Sequence, residues 1–554
     1  MAAIPVDPKR FDNTGSVQEN AQKHRVNVAK TLIADVPKAH ADNGDFARAD
    51  RAGSFTKGLP HDATTGLVDP TAFAAFVAAL GQPRHQVLGA LEAIPASQLG
   101  NGATTRKLVN PVAGRAFAVV GGDPQQYEIP KAPAIGSAGE TFEIVENYWM
   151  ALLRDVPFSQ YGSHPLAAQA ASELGNLHGP ARAERQAETG RNADLAAVDG
   201  MGKITSALLF RGLTPGDAAG PYLSQFLIHP VPFGVQGFEQ RNRTLRAGTD
   251  FMTDWDEWRH VQNGAPRDFV PSHFDPVLRY LRNGRDLSQW VHVDVLFQGY
   301  FNACLMLLQG TGAASSVGGG IGSGPGRHNP YAATRRQQGF GTLGDPGHIG
   351  MMCEVATLAL KAVWYQKWYV HLRLRPEAYA GRIEAQRSGR KSFGLPAALM
   401  GSQAVAHTVA RHGTALLPMA FPEGSPMHPA YGAGHATVAG ACVTILKALF
   451  GNVGVPFPNP VDIAVDATGN ERIVPHAGTL TVQGELDKLA SNIALGRNIA
   501  GVHWRSDGTE SLLLGEMVAV DLLRAYARSY AEVGSGSPAF EFVDFQGSVQ
   551  TISA

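Results

Sequence analysis

The chain has 554 residues, enough for two or three domains or one large fused unit with a sizeable core. Its formal net charge is -1, which argues against a general binder of nucleic acid or another polyanion, so any cationic site must be local. Three cysteines, Cys304, Cys353 and Cys442, are too few and too scattered for a disulfide framework or a zinc ribbon. Each lies in an apolar run and reads as a buried free thiol, with one disulfide left open.

Residues 1–10 contain no apolar stretch typical of a secretory signal, and no apolar run is long enough to span a bilayer. A soluble, cytoplasmic protein that engages no membrane is the default expectation. A trimmed chain would read the same way, which leaves extracellular or periplasmic placement open.

Residues 1–65 are polar, with a helical segment near 18–36, and form either an arm on a partner subunit or a surface extension. Residues 66–309 read as an N-terminal helical region. Within it, 69–80 has Asp69 at the N-cap, Pro70 in the first turn and apolar residues at helical spacing. Stretches 142–153 and 194–209 also read as helices, 226–250 as loop or weakly extended chain, and 291–308 as one long apolar helix. Residues 310–349 form a connection, Gly/Ser-rich over 310–327 and too long for a tight turn. The C-terminal helical region, 350–554, is dense with helix candidates at 350–369, 395–411, 434–450, 486–500 and 507–530. Between them, Val/Ile/Thr flank a turn in 461–482, the pattern of a β-hairpin. The fold class expected is mainly α, in helical bundles with a small hairpin.

Three stretches of this last region carry chemistry. The first runs Lys367-Trp368-Tyr369-Val370-His371-Leu372-Arg373-Leu374-Arg375-Pro376. Eight positions separate Lys367 from Arg375, so on a helix the two share a face and could hold an anion. Alone, they read as cations at a helix C-terminus. The second stretch, His428-Pro429-Ala430-Tyr431-Gly432-Ala433-Gly434-His435, opens an apolar helix. Its Gly434 and His435 amides lie where unpaired N–H groups bind anions, and His435 can act as acid or base. Alone, it is a glycine-containing turn with two surface histidines.

The third stretch is Gly496-Arg497-Asn498-Ile499-Ala500-Gly501-Val502-His503-Trp504-Arg505-Ser506-Asp507. Arg497 adds a fixed cation. His503 offers a nitrogen that can ligate a metal or attack phosphorus. Asp507, four positions on, could accept the other ring N–H, or form a capping box with Glu510. Arg373 and Arg505 read as surface or ion-pair residues. Together the three stretches suit a tetrahedral oxyanion with a histidine nitrogen on its axis. No Cys or carboxylate cluster suggests Zn, Fe or Ca at the centre, and no P-loop, dinucleotide fingerprint or haem motif is present.

In that order, the three motifs resemble the signature of vanadium-dependent haloperoxidases, a family that shares its site with type 2 phosphatidic-acid phosphatases. Residues 365–368, 421–436 and 496–507 look most like the algal and cyanobacterial bromoperoxidase branch, and the likeness covers about 350–528. The resemblance implies two four-helix bundles and vanadate bound through His503, with Lys367, Arg375, Arg497 and the Gly434 amide on its oxygens. It further implies His435 as the group that moves protons and His428 as a modulator of the halide step. Lys367 is also implied in catalysis, polarising the bound peroxide. Hydrogen peroxide, bromide or iodide and small organic molecules are the implied substrates. A homo-oligomer, a dimer or larger assembly of dimers, is implied, as is a structural divalent cation whose ligands the sequence does not place.

One position departs from the pattern. The family usually has Ser before the Gly-His pair, where this chain has Ala433, and the lost hydrogen bond to a charged group is worth ~1.5–3 kcal/mol. Vanadate binding is expected to survive, with peroxide activation or halide preference shifted. Trp364 lines the halide pocket or belongs to the core. Two rival readings are a histidine acid phosphatase on the same site and a non-catalytic oxyanion-binding relative. Those phosphatases usually have six residues between Lys and Arg, where this chain has seven.

Overall fold

Helices that are apolar all round end up inside a bundle, and the helix that carries the Gly434-His435 turn is one of these. The computed structural model describes residues 17–34, 39–191, 195–308, 328–451, 454–534 and 537–553. Its N-terminal part contains α1 (Val17–Ala34), α2 (Pro70–Leu80), α3 (Val87–Glu92), α4 (Ala138–Leu152), α5 (Pro165–Thr189), α6 (Trp255–Gln262), α7 (Gly284–Val293) and α8 (Gln298–Leu308). After these come α9 (Asp345–Tyr365), α10 (Pro376–Arg387), α11 (Ala397–Met400), α12 (Gln403–His412), α13 (Gly434–Phe450), α14 (Val482–Ile499) and α15 (Arg505–Ser529).

The centre is α13, with α9, α14 and α15 packed around it. Every residue of α13 except His435 is buried. Two glycines let α13 and α15 approach backbone to backbone. A Cβ on Gly440 would sit 2.1 Å from the Leu512 carbonyl oxygen, and one on Gly515 would sit 2.1 Å from that of Thr437. In the N-terminal part, α4 packs on α5 and on α12. Strands occur only as two-stranded antiparallel pairs among the described residues. They are β1 (Val231–Phe233) with β2 (Gln236–Phe238), β3 (Asn242–Leu245) with β4 (Phe274–Arg279), β5 (Val461–Val465) with β6 (Glu471–Pro475), and β7 (Pro538–Val543) with β8 (Val549–Ser553). The mainly α expectation holds, as does the hairpin, where Val465 pairs with Glu471.

Four local expectations are corrected. The helix expected over 291–308 is two, α7 and α8, bent by 94° at a break that begins with Asp294. Of the helix expected over 194–209, the described residues 195–209 are loop with one short turn, Ser206–Leu208. The 395–411 stretch divides where Ser402 caps α12, its hydroxyl accepting from the Val405 N–H at 3.4 Å. The 350–369 helix changes character at Gln366, which matters for the site. The Gly/Ser-rich 310–327 lies outside the described residues.

The three cysteines are free thiols, so the open disulfide does not form. Among the described residues no single helix is long and apolar enough to cross a membrane. Residues ahead of α2 are tied to the C-terminal region. The Phe55 amide donates to the Leu372 carbonyl at 2.7 Å, and buried Lys57 Nζ pairs with Glu377 Oε1 at 2.7 Å.

Candidate active site

The site begins where α9 ends. From Gln366 to His371 the chain winds as a π-turn, then reverses at Leu372 with φ of 44°. Such widened turns are frequent at functional sites, because they re-aim a side chain without ending the helix. Here the turn buries Lys367, whose Nζ donates to the Pro429 and Ala430 carbonyls at 2.8 and 2.9 Å. Leu374 follows, and Arg375 stands at the N-cap of α10 in extended conformation (φ −88°, ψ 155°), as the residue before Pro376 must. Lys367 and Arg375 therefore meet across a chain reversal. They do not share a helix face, and Arg375 does not cap a helix C-terminus.

Arg375 is fully buried and ties the second stretch to the third. Its Nε and Nη2 donate to the His428 carbonyl at 3.0 and 2.8 Å, and Nη2 lies 2.9 Å from His428 Nδ1. Its Nη1 donates to the Val502 carbonyl at 2.7 Å and lies 2.9 Å from His503 Nε2. Guanidinium is a donor only, so Nε2 of His503 is the acceptor. The other His503 nitrogen, Nδ1, lies 2.8 Å from Asp507 Oδ2 and donates to it. The proton is thus on Nδ1 and the lone pair on Nε2, inside the site.

Asp507 divides its work differently from the expected Asp507–Glu510 box. It is the third residue of α15, and its Oδ2 also accepts the Trp504 amide at 3.1 Å, while Oδ1 accepts from Arg373 Nη1 at 3.0 Å. Glu510 faces elsewhere, toward Arg185 and Arg191. Arg373 and Arg505 are ion-paired as expected, but in the interior: Arg373 with Glu143 and Asp507, Arg505 with Glu146.

Arg497, on the last turn of α14, donates Nη1 to the Val291 carbonyl at 2.7 Å and lies 5.5 Å from the Phe421 ring centre. Its Nε is buried with no hydrogen-bond partner. Gly434 opens α13, whose N-cap residue Ala433 makes no side-chain cap. A Cβ on Gly434 would come within 3.0 Å of the Trp364 ring. That ring stands 4.9 Å from His428 and 5.8 Å from Lys367 Nζ, so Trp364 belongs to the site wall.

His435 is held by a residue the sequence reading missed. Its Nε2 lies 3.0 Å from Asp294 Oδ1, at the α7–α8 break. With Nε2–H donating to the carboxylate, Nδ1 is the free basic nitrogen. The available signal was an acidic residue interrupting the apolar run 291–308.

The electrostatics are lopsided. Among the described residues no carboxylate lies within ion-pair distance of Lys367, Arg375 or Arg497, although each is buried. Burial first, then Arg375 and Arg497, hold the Lys367 ammonium well below its ordinary value. Burial pulls Arg375 down to about 9 and Arg497 to about 10. His428, His435 and His503 are also lowered, chiefly by burial, and are neutral at neutral pH. Three buried cations, a helix N-terminus and a free imidazole nitrogen make a donor set with no internal anion. That set fits an oxyanion whose central atom also accepts a nitrogen ligand. Elsewhere, among the described residues, no group of three or more His, Cys, Asp or Glu could hold a metal ion.

Comparison with known proteins agrees. A family model for the VCPO second helical-bundle domain matches residues 350–532. The chain is 36% identical over 543 residues to the vanadium-dependent bromoperoxidase of Corallina pilulifera, covering 86% of this chain and 88% of that one. It is 34% identical over 520 residues to the enzyme of that name from Ascophyllum nodosum, covering 92% and 87%. The homohexameric structure of the second vanadate-dependent bromoperoxidase from Ascophyllum nodosum superposes with a TM-score of 0.85 at 30% identity, over 100% of this chain and 94% of that one. On likeness of this extent, the chain belongs to the vanadium-dependent bromoperoxidase family.

Proposed function

We propose that this chain oxidises bromide and iodide with hydrogen peroxide at a vanadate held by Lys367, Arg375, Arg497, the Gly434 amide and His503. The hypohalous product then halogenates small organic molecules. One observation carries the residue assignment: three buried cations, without carboxylate partners among the described residues, surround a histidine nitrogen whose lone pair faces them. Vanadate there supplies Lewis acidity toward peroxide without a change of oxidation state.

The chain's own groups do the rest. Asp507 keeps the His503 proton on Nδ1, so Nε2 remains a ligand, and Arg375 Nη1 is the donor that yields this nitrogen to the metal. Lys367 spends two N–H bonds on carbonyls and keeps a third for an oxygen. His435, neutral and anchored through Nε2 on Asp294, takes the peroxide proton on Nδ1 and returns it when water leaves. The balance is hydrogen peroxide plus bromide plus one proton giving hypobromous acid and water. His428, between Arg375 and Trp364, tunes the halide step.

The same proposal includes a homo-oligomer, a dimer or an assembly of dimers, since a relative at 30% identity is homohexameric. It also includes a cytoplasmic location, which suits three free thiols. Light scattering tests the first. For the chemistry, purified protein incubated with vanadate is assayed for bromide- and peroxide-dependent halogenation of a dye, and without vanadate for phosphate-ester hydrolysis. Halogenation alone is expected. Hydrolysis alone would assign the site to phosphate, and vanadate binding with neither activity would leave an oxyanion-binding protein.

A further inference from the structure

We propose that His292 and Glu423 are positioning residues for the oxyanion cradle: hydrogen-bonded to each other, they back the Phe421 ring, and that ring holds the Arg497 guanidinium in place. The assignment rests on Arg497 serving as a cradle cation and extends the site to a pair at its solvent edge.

Arg497 is the most loosely tethered of the three cations. Lys367 gives N–H bonds to two carbonyls, and Arg375 uses all its side-chain nitrogens. Among the described residues, Arg497 bonds only through Nη1, to the Val291 carbonyl at 2.7 Å. A long side chain on a single bond keeps much of its rotamer freedom. Contact with an aromatic ring removes it, and the Phe421 ring centre stands 5.5 Å from the guanidinium carbon, within cation–π reach. Phe421 is itself fixed: it is fully buried, and the Ala420 amide donates to the Ala500 carbonyl at 3.2 Å, just beyond Arg497.

The imidazole of His292 stacks on Phe421, with ring centres 4.0 Å apart and planes at 28°. Its Nε2 lies 2.6 Å from Glu423 Oε1 and donates to it. The Glu423 carbonyl in turn accepts from Lys57 Nζ at 2.9 Å and Arg106 Nη1 at 3.0 Å, which pins the residue that holds the imidazole. One helix end supplies both supports, since Val291 and His292 are neighbours on α7. That helix packs so closely on α14 that a Cβ on Gly496 would come within 3.1 Å of Leu287 and Val291. The side chains of His292 and Glu423 keep 18% and 17% of their surface exposed, and ion pairs at the solvent edge add little to global stability. Their contribution is a fixed ring.

Equilibrium dialysis of vanadate and, separately, of inorganic phosphate reads the effect without any turnover. Phe421→Leu should weaken vanadate about fivefold, and His292→Ala and Glu423→Ala about threefold each. Glu423→Gln, whose amide oxygen still accepts from His292, should stay near the starting affinity. Because the residues act in series, His292→Ala should add nothing to Phe421→Leu. The unfolding midpoint of unliganded Glu423→Ala should not move. Unchanged anion affinity in His292→Ala and Glu423→Ala would overturn the proposal, as would losses that add in full. Equal losses in Glu423→Gln and Glu423→Ala would also overturn it, because charge rather than placement would then be the pair's contribution. Phosphate binding with the same ranking but no halogenation would keep the positioning role and remove the peroxidase. A starting protein that binds neither anion would overturn both.

Discussion

Arg373 and Arg375 stand two residues apart, both buried, and live in opposite electrostatic worlds. Arg373 Nη1 bonds Asp507 and Nη2 bonds Glu143, and these carboxylates overcome burial and raise its pKa. Among the described residues Arg375 bonds carbonyls and two imidazoles and no carboxylate, and burial pulls it down to about 9. The pattern extends through the molecule. Lys57 with Glu377, Arg185 with Glu510, Lys447 with Asp487 and Arg505 with Glu146 are paired buried cations that tie distant segments together. Lys367, Arg375 and Arg497 are the contrasting set, three together at one site. Arg382, also buried without a carboxylate in ion-pair distance among the described residues, stands apart from them and donates to the Gly66 carbonyl. A paired buried cation serves the fold, whereas three unpaired ones converging on one site call for an anion from a ligand.

That contrast is tested by opposite signs. Arg373→Ala leaves Glu143 and Asp507 without their cation and is expected to lower unliganded stability by about 3–5 kcal/mol in chemical denaturation. Arg497→Gln removes an unpaired charge and should leave unliganded stability unchanged or up to ~1 kcal/mol higher, while vanadate affinity falls about tenfold. Equal destabilisation by the two variants would erase the distinction. His503→Ala should cost more than about 100-fold in vanadate affinity by equilibrium dialysis, because it removes the nitrogen that Asp507 orients. Asp294→Asn should lower kcat for bromide about tenfold by weakening Nδ1 of His435 as a base, with vanadate affinity nearly kept.

A subtler version of the contrast appears in pH dependence. Lys367 is held well below its ordinary value in the unliganded fold, so the unfolded chain binds that proton more tightly. Unliganded stability therefore rises as pH climbs from the depressed pKa toward about 10.4, by the sign of proton linkage. Vanadate affinity moves the other way and falls over the same span, because the anion needs the ammonium. Titrating both quantities in the starting protein and in Lys367→Met should show the opposed slopes and their loss in the variant. Parallel slopes would mean that Lys367 does not face the anion.

The helices of this region were legible because their periodicity and caps are local. The 434–450 helix matches α13, and Asp69 caps α2, accepting from the Ala72 amide at 2.8 Å. The candidate site was legible as a set of residue types at set spacings. Its geometry was not. Nothing in the spacing from Lys367 to Arg375 announces a π-turn followed by a left-handed Leu372, and a straight helix was the natural expectation. Arg373 was legible as an ion-pair residue distinct from Arg375, but its interior placement was not, because its partner Glu143 lies 230 positions away. Asp294 was lost in the same manner, inside what looked like one apolar helix.

The smallest expected effect concerns Ala433, which stands between the two classes of site. Its backbone is extended (φ −87°, ψ 125°), the shape of a helix N-cap, but its methyl group caps nothing, and Ser511 Oγ takes its amide at 2.8 Å. A serine hydroxyl has one proton to give and two lone pairs. In Ala433→Ser it can accept an amide of the first turn of α13 and still donate its proton to a vanadate oxygen. The first bond should stabilise the unliganded fold by ~0.5–2 kcal/mol. The second should tighten vanadate about fivefold, since a net hydrogen bond is worth ~1 kcal/mol. The two readouts part if the hydroxyl turns only to the helix: stability then rises with affinity unchanged, and position 433 belongs to the scaffold. If affinity rises as well, the cradle in this chain lacks one donor that its backbone is already shaped to receive.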